Sequence, residues 1–423
     1  MKTPQVALCA LLVWGLPAVA FAQSPTPIPK MEFEAVIKQA VEKNPTIARA
    51  ATTIQRAETL LQQSKAVIRP LVTSSIQNST LDSARGFSGG TTQPQNQFSI
   101  TASASMPILN ASRWAQVAQS RDQVDVTVAA AAETRQQMLT AAAQSYLAVI
   151  AARRQVEVGE RALESARAHL DYASKRFEGG AGSRLNQVRA SQVVSQETAR
   201  LETLRLILRT AQEALGVVIA ADGPIDAGAD PVFDMTGAFD DNAWRAARPD
   251  LITRATLQRA AERVVHDSWR DWIPVATASF DPAYVTPAGI FSPPGTYRFT
   301  LSATQVLYEG GQRKILETQR RITLDQAKIE LSQAEIEARS EVRLAQESVR
   351  ALERTLESAR RSAEETAEVL RITTTAFEVG ATTNLEVIDA QRSDLDARTS
   401  AELAEGALRR ARLELLVALG RFK

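Results

Sequence analysis

The chain has 423 residues, aromatic residues make up 5% of it, and 49 Lys and Arg side chains balance 48 Asp and Glu, leaving a formal net charge of +1. A balance this close to neutral creates no overall field toward nucleic acid, so we expect no nucleic-acid partner. Ala, Gln, Glu, Arg and Leu dominate, while Gly and Pro gather in a few places, a composition typical of long helices with sharp interruptions.

The first 22 residues have the pattern of a secretory signal peptide. An apolar run extends from Val6 to Val19, and Ala20-Phe21-Ala22 fits an A-x-A cleavage site. A membrane anchor is the alternative, but the run is shorter than the ~20 apolar residues of a spanning helix and contains Pro17. Cys9 is the only cysteine in the sequence. We therefore expect neither a disulfide nor a lipidated cysteine in the mature chain.

The remaining sequence contains two copies of one unit. Phe177-Glu178-Gly179-Gly180-Ala181 aligns with Phe377-Glu378-Val379-Gly380-Ala381, an offset of 200. The first repeat is predicted to span residues 23–216 and the second residues 243–423. Residues 217–242 are predicted to link them, because Asp222-Gly223-Pro224 and Asp230-Pro231 interrupt any helix. Each repeat is expected to run helix, strand pair, long helix, glycine turn, helix.

The long helices are predicted at about 113–178 and 312–378, which contain no proline. Each would extend roughly 100 Å at 1.5 Å per residue. The helices that follow the turns are predicted at about 184–215 and 384–419. Apolar residues recur every seven positions, which is typical of a coiled coil. The recurring positions are Val342, Val349, Leu356, Ala363, Leu370 and Phe377, and in the first repeat Val149, Val156, Leu163, Leu170 and Phe177.

Strand pairs are predicted at about 71–108 and 273–308. Apolar side chains from Phe98 to Met106 alternate with Ser and Thr, and Tyr297 to Ala303 alternate likewise. Such strands are typical of a membrane β-barrel, although a half-buried soluble sheet gives the same alternation. Four strands cannot close a barrel, and open edges are not tolerated in lipid, so several copies would have to share one barrel. Two copies would supply eight strands and three would supply twelve.

These features together resemble the TolC-type outer-membrane efflux channels. The similar segments are the strand-to-helix junction 305–311, the turn 377–383, the run Leu385-Glu386-Val387-Ile388-Asp389-Ala390-Gln391 and Leu419-Gly420. The resemblance implies a mainly α fold with a small β part, in which a long antiparallel helical barrel continues into a transmembrane β-barrel shared by a homotrimer. It also implies a location in the outer membrane, in contact with lipid, with a large periplasmic portion.

The same resemblance implies the function. The protein would be a passive exit duct of a tripartite efflux or type I secretion system. It would work with a periplasmic adaptor (membrane fusion) protein and an inner-membrane transporter of the RND, ABC or MFS type. The cargo stays open among drugs, metal ions and polypeptides.

A pore constriction is predicted just after the second glycine turn. Glu386 and Asp389 are three residues apart, so on a helix their carboxylates share one face. Carboxylates brought to a common axis would form acidic rings that favour cations, and the resemblance places the channel's constriction here. The alternative is an acidic first turn that complements the helix dipole. Asn186 and Arg189 occupy the equivalent positions of the first repeat, and Arg189 is hypothesised to pair with a neighbouring carboxylate.

The two glycine turns are predicted to form exposed tips. Glycine ends a helix in the left-handed conformation, and a following Ser or Thr caps the next helix. The resemblance implies that adaptor hairpins dock around these tips. The residues concerned are Gly179, Gly180, Ser183 and Leu185 in the first repeat and Gly380, Thr383 and Leu385 in the second.

An enzyme would need a reactive constellation, and none is visible. After Cys9 the chain has no further cysteine, and its two histidines, His169 and His266, are both expected on solvated helix surfaces. We expect no catalytic residues, no metal and no cofactor. The remaining alternative is a periplasmic coiled-coil adaptor or scaffold without a pore of its own, although no lipoyl-like β module is evident.

Overall fold

The computed structural model describes residues 28–233 and 243–422. The predicted signal peptide, residues 1–22, lies outside the described residues, as does part of the predicted linker. Eight helices are described, in the order α1 (Phe33–Lys43), α2 (Pro45–Ala66), α3 (Ala111–Glu178), α4 (Arg184–Val218), α5 (Ala243–Ala247), α6 (Pro249–His266), α7 (Gln312–Glu378) and α8 (Asn384–Ala418). A 3-10 helix, Asp267–Trp272, follows α6.

The described strands are β1 (Lys30–Met31), β2 (Leu71–Thr80), β3 (Arg85–Phe87), β4 (Gly90–Gln93), β5 (Asn96–Leu109), β6 (Asp226–Ala227), β7 (Val275–Thr286) and β8 (Gly295–Thr304). Four of them form one antiparallel sheet in the order β2-β5-β7-β8. The fold is therefore mainly α with a small β part, as the sequence predicts.

The sheet has one apolar face and one hydroxyl-rich face. Ile76, Ile100 and Tyr284 lie side by side across three strands on the apolar face. On the other face, Ser75 and Thr101 share a hydrogen bond of 2.7 Å between their hydroxyl oxygens. Within the described residues, the outer strands β2 and β8 each pair with a single neighbour. The sheet therefore has two open edges.

The second strand pair is shorter than the sequence pattern predicts. β8 ends at Thr304 rather than near 308. Gly310 and Gly311 adopt φ angles of +70° and +86°, which turn the chain into α7. The carbonyl of Val306 accepts a hydrogen bond from the Arg313 side chain at 3.2 Å instead of joining the strand ladder. A small hairpin of β3 and β4, which the sequence pattern does not indicate, lies in the loop between β2 and β5.

The long helices pack in antiparallel pairs, α3 with α4 and α7 with α8. Val349 and Leu356 of α7 are buried against Leu408 and Leu415 of α8. Each such side chain contributes about 1.5–3 kcal/mol when fully buried. At its other end α3 begins directly after β5, where the Asn110 side chain accepts a hydrogen bond of 3.1 Å from the Arg113 backbone N–H.

Two equivalent joints lie near mid-height, one within each half of the chain. Asn44 and Arg248 each precede a proline that starts a helix, and both are extended, as the residue before proline prefers. The Asn44 side chain donates to the Val218 carbonyl at 2.7 Å. The Arg248 guanidinium donates to the carbonyl of Ala418, which is the equivalent residue 200 positions later, at 3.4 Å. Different side chains thus make the same joint in the two repeats.

The Arg248 joint also carries charge. The Arg248 guanidinium lies 2.8 Å from Asp250 and 2.7 Å from Glu341. Burial acts to lower the pKa of Arg248, but the hydrogen bonds to these two carboxylates outweigh it and raise that pKa. The joint of the second repeat is therefore an ion-pair network, whereas the joint of the first is neutral.

Candidate functional site at the helical turns

The two glycine turns, at the ends of α3 and α7 remote from the sheet, have the same geometry. Gly180 and Gly380 have φ angles of +75° and +79°, values that favour glycine. Ser183 and Thr383 then cap the next helices, accepting from the N–H of Asn186 at 3.3 Å and of Glu386 at 3.4 Å. The turn chemistry read from the sequence accounts for both conformations.

The tip residues are exposed to solvent in the single chain. Gly179, Gly180 and Gly380 are exposed, as are the capping residues Ser183 and Thr383. Leu185 and Leu385 expose 57% and 50% of their surface. The tips therefore present apolar side chains outward beside the turns.

The predicted constriction residues lie just beyond these turns. Glu386, Asp389 and Arg189 are exposed, and Asn186 is half-buried. Glu386 lies in the first turn of α8, as the dipole alternative also requires. None of the three charged side chains forms an ion pair within the described part of a single chain. Their charges are therefore available to groups outside it.

A buried histidine joins the two repeats at this end. His169 of α3 is 8% exposed, so the expectation of a solvated surface position is wrong. Its Nε2 lies 2.7 Å from Asn384 Oδ1 at the start of α8. Its ring centroid lies 5.6 Å from that of Phe377. Burial lowers the pKa of His169, and the hydrogen bond to Asn384 offsets this only in part, so the imidazole is neutral near pH 7.

Two more side chains of α3 hold the end of α7. The Arg176 guanidinium donates to the Phe377 carbonyl at 3.3 Å and lies over the Phe377 ring at 5.6 Å. The Tyr172 hydroxyl donates to the Glu378 carbonyl at 3.4 Å. These carbonyls belong to the last turn of α7, where the regular helical donors run out, and the Phe377 carbonyl also accepts from the Gly380 N–H at 3.1 Å. We name His169, Tyr172, Arg176, Phe377 and Asn384 the inter-repeat clamp.

The clamp was missed at the sequence level, yet one signal could have found it. Buried Ala166 and Ala173 belong to the heptad seam, and His169 lies three residues after the first and four before the second. That spacing puts the imidazole on the packed face of α3. Comparison of the two repeats does not predict that His169 is buried, because the equivalent residue of the second repeat, Val369, is 53% exposed.

A cavity of about 550 Å³ lies between the two coiled coils on the sheet side of the clamp, and Asp389 is among its lining residues. Three buried acceptor oxygens in its lining have no hydrogen-bond donor among the described residues, namely Glu197 Oε2, Gln391 Oε1 and Asp394 Oδ1. The opposite oxygen of Asp394 accepts from Arg398 at 2.7 Å. The coiled coils thus enclose a cavity at this level, bridged by a hydrogen bond of 3.3 Å from Gln391 Nε2 to Ser165 Oγ, and they meet again at the clamp.

In residues 28–233 and 243–422, no helix is both long enough and apolar enough to cross a membrane. Across the same ranges, no three His, Cys, Asp or Glu side chains are grouped so as to hold a metal ion.

The family model described as outer membrane efflux protein matches residues 36–221 and 245–421. Among solved structures, the chain is similar to the outer membrane protein VceC of Vibrio cholerae (TM-score 0.78, 17% identity, 92% of this chain and 96% of that one). It is also similar to the CmeC outer membrane channel of Campylobacter jejuni (0.79, 14%, 92% and 85%) and to the open state of the MtrE outer membrane channel of Neisseria gonorrhoeae (0.77, 16%, 92% and 88%). No curated protein matches the chain.

Two long repeats with paired coiled coils and a four-stranded sheet are the fold that the chain shares with these outer membrane channels. The chain belongs to the outer membrane efflux protein family, since the family model matches most of both repeats.

Proposed function

We propose that the protein is the outer-membrane exit duct of a tripartite efflux or type I secretion system and that it works as a homotrimer. The observation that best supports this proposal is a layer of strands and helices whose two outer edges are unpaired in the single chain. The sheet order β2-β5-β7-β8 matches the helix order α2-α3-α6-α7, and each strand is joined to the helix at its own position by at most eight residues. Sheet and helices therefore form one curved layer with two unpaired edges.

A ring of three copies would close the sheet into a barrel and the helical layer into a tunnel at the same time. Twelve strands leave room for an aqueous lumen, whereas eight are largely filled by side chains. The hydroxyl-rich face of the sheet would line that lumen, and the apolar face would meet lipid. The assembled protein conducts solutes and carries out no reaction of its own.

The constriction of this duct lies at the periplasmic mouth. Glu386 and Asp389 are unpaired in the single chain, so three copies would place two acidic rings around the axis. Such rings narrow the pore and favour cations. Arg189 of the first repeat is exposed nearby and would pair with a carboxylate across the mouth, beside Asn186.

Opening follows when partners engage the tips. Exposed Leu185 and Leu385 beside the glycine turns offer apolar contacts to the hairpins of a periplasmic adaptor. The adaptor in turn connects the duct to an inner-membrane transporter of the RND, ABC or MFS type. The inter-repeat clamp fixes the end of α7 and the start of α8, so its release would free the acidic residues to move outward.

Single-channel conductance in planar bilayers tests this function. The wild type should show a small, cation-selective conductance, and Glu386→Ala with Asp389→Ala should raise it and abolish the selectivity. Glu402→Ala with Glu414→Ala removes the same charge from α8 away from the mouth and should change neither. An unchanged Glu386 and Asp389 variant would place the constriction elsewhere.

The adaptor or scaffold alternative makes a different prediction. A protein without its own pore would not conduct, and it would leave the outer-membrane fraction in a high-salt wash. Retention in that fraction together with conductance supports the duct. Loss of both retention and conductance would favour the adaptor or scaffold function instead.

A further inference from the structure

Three exposed tryptophans gather where the sheet meets the helices. Trp114 lies in the first turn of α3, directly after β5, and Trp269 and Trp272 lie on the 3-10 helix directly before β7. They expose 43%, 55% and 53% of their surface, whereas Trp244, near mid-height, exposes 4%. None of the three indole N–H groups has an acceptor within the described residues. The junction therefore presents large amphipathic side chains whose polar atoms are unsatisfied.

Arginines hold two of these indoles in place. The Arg270 guanidinium lies 5.8 Å from the ring centroid of Trp269, and that of Arg313 lies 5.0 Å from the ring centroid of Trp272. Arg313 is itself fixed by Glu309 at 2.8 Å. A cation over the face of an indole is a favourable arrangement, worth more where water is excluded. The rings are thus ordered before any ligand arrives.

The junction also carries an excess of positive charge. Its four segments, residues 65–70, 110–114, 267–274 and 305–314, hold six Lys and Arg side chains against three carboxylates. Each carboxylate has an arginine partner: Asp267 with Arg270 at 3.4 Å, Asp271 with Arg320 at 2.7 Å and Glu309 with Arg313 at 2.8 Å. The sheet between these segments is balanced, with Asp82 and Asp281 against Arg85 and Arg298.

Several of the junction cations are left without a carboxylate. Lys65, Arg69 and Lys314 have no ion-pair partner among the described residues, and there the Arg113 guanidinium donates only to the Val67 carbonyl, at 3.0 Å. The whole chain has a net charge of only +1, so this local excess is a property of the junction. Free cations beside ordered indoles favour an anionic, amphipathic ligand.

We propose that this junction, here called the Trp–Arg collar, binds the phosphate headgroups of anionic phospholipids in the periplasmic leaflet of the outer membrane. The proposal requires that the sheet spans the membrane, but it does not depend on the constriction or on adaptor docking. The apolar face of the sheet must lie in hydrocarbon, which brings the collar to headgroup level. Indoles favour that level, and Lys and Arg attract anionic headgroups there.

Tryptophan fluorescence in reconstituted vesicles tests the position of the collar. The full-length protein is placed in phosphatidylethanolamine and phosphatidylglycerol vesicles whose lipids carry bromine on the headgroup-proximal part of the acyl chain. Bromine quenches indoles only on contact, so the wild type should be quenched. A Trp114→Phe, Trp269→Phe and Trp272→Phe variant keeps only buried Trp244 after removal of the signal peptide. The fluorescence of this variant should not be quenched. Equal quenching of the two proteins, or none in either, would overturn the proposal.

Native mass spectrometry of retained lipid tests the charge preference. Removing one cation from an anionic surface weakens binding about fivefold, so Arg69→Gln with Lys314→Gln should reduce retained phosphatidylglycerol strongly. Arg167→Gln with Arg410→Gln removes the same charge from exposed helix positions away from the collar and should leave retention unchanged. Equal retention by both variants would refute the headgroup assignment. Both should still conduct, so a failure of the collar is distinguishable from a failure of the channel.

Discussion

Replacing His169 by leucine tests whether the clamp holds α8 against α3. Leucine keeps much of the volume and the contact with Phe377, but it removes the Nε2 donor. Asn384 is 3% exposed, and its Nδ2 already has no hydrogen-bond partner in the described chain. The variant would leave the whole carboxamide buried and unsatisfied. Such a loss costs about 1–3 kcal/mol, or from about fivefold to about 150-fold in the equilibrium between docked and undocked states.

Hydrogen exchange by mass spectrometry measures this equilibrium locally. Amide protection in residues 384–390 should fall by that factor, because the hydrogen bond ties this turn of α8 to α3. Protection around Leu408 and Leu415, which pack on α7, should not change. An effect spread evenly along α8 would indicate general destabilisation instead.

A second substitution separates the hydrogen bond from packing. In His169→Leu with Asn384→Leu both polar partners are apolar, and no buried group is left unsatisfied. Replacing both partners of a buried hydrogen bond can be nearly neutral. Protection should therefore return toward the wild-type value in the double variant. If protection in residues 384–390 is unchanged in the single variant, the clamp does not hold α8.

Three further predictions concern the clamp, the joints at mid-height and the proposed mouth of the pore. Because burial lowers the pKa of His169 below its usual 6.5, the open state takes up a proton first as pH falls. Clamp stability should then be complete above about pH 6.5 and decline below it by at most ~1.4 kcal/mol per pH unit, a dependence absent from His169→Leu. Arg248→Ala should lower the free energy of unfolding by about 2 kcal/mol, more than Asn44→Ala at about 1 kcal/mol, in thermal melts with Arg410→Ala as control. Arg189→Ala should raise single-channel conductance, and an unchanged value would remove Arg189 from the gate.

The fold class could be predicted because its determinants are local and repeated. Heptad spacing, proline-free length and period-two alternation each depend on residues close in the sequence. The resemblance to the family, which is confirmed, rests on several such segments taken together. The helix after β5 begins at Ala111 rather than at the predicted 113 because the Asn110 side chain caps its first turn.

The clamp could not be predicted because it depends on which coiled coil faces which. His169 and Val369 are equivalent in the repeat, yet one is buried and the other exposed. Their difference comes from the contact of α3 with α8, which has no counterpart between α7 and α4 inside one chain. A two-residue parallel pairing such as β1 with β6 is also too short to leave a sequence pattern.

The unequal joints at mid-height have a mechanical consequence. In a ring of three chains, six joints would alternate around the circumference, with a neutral amide at Asn44 followed by an ion-pair network at Arg248. Burial acts to raise the pKa of Asp250, but the hydrogen bond to Arg248 outweighs it and holds that pKa below its usual value, so this ion pair persists into acid and weakens in concentrated salt. The six joints would therefore respond differently to salt, because the three at Arg248 contain ion pairs and the three at Asn44 do not.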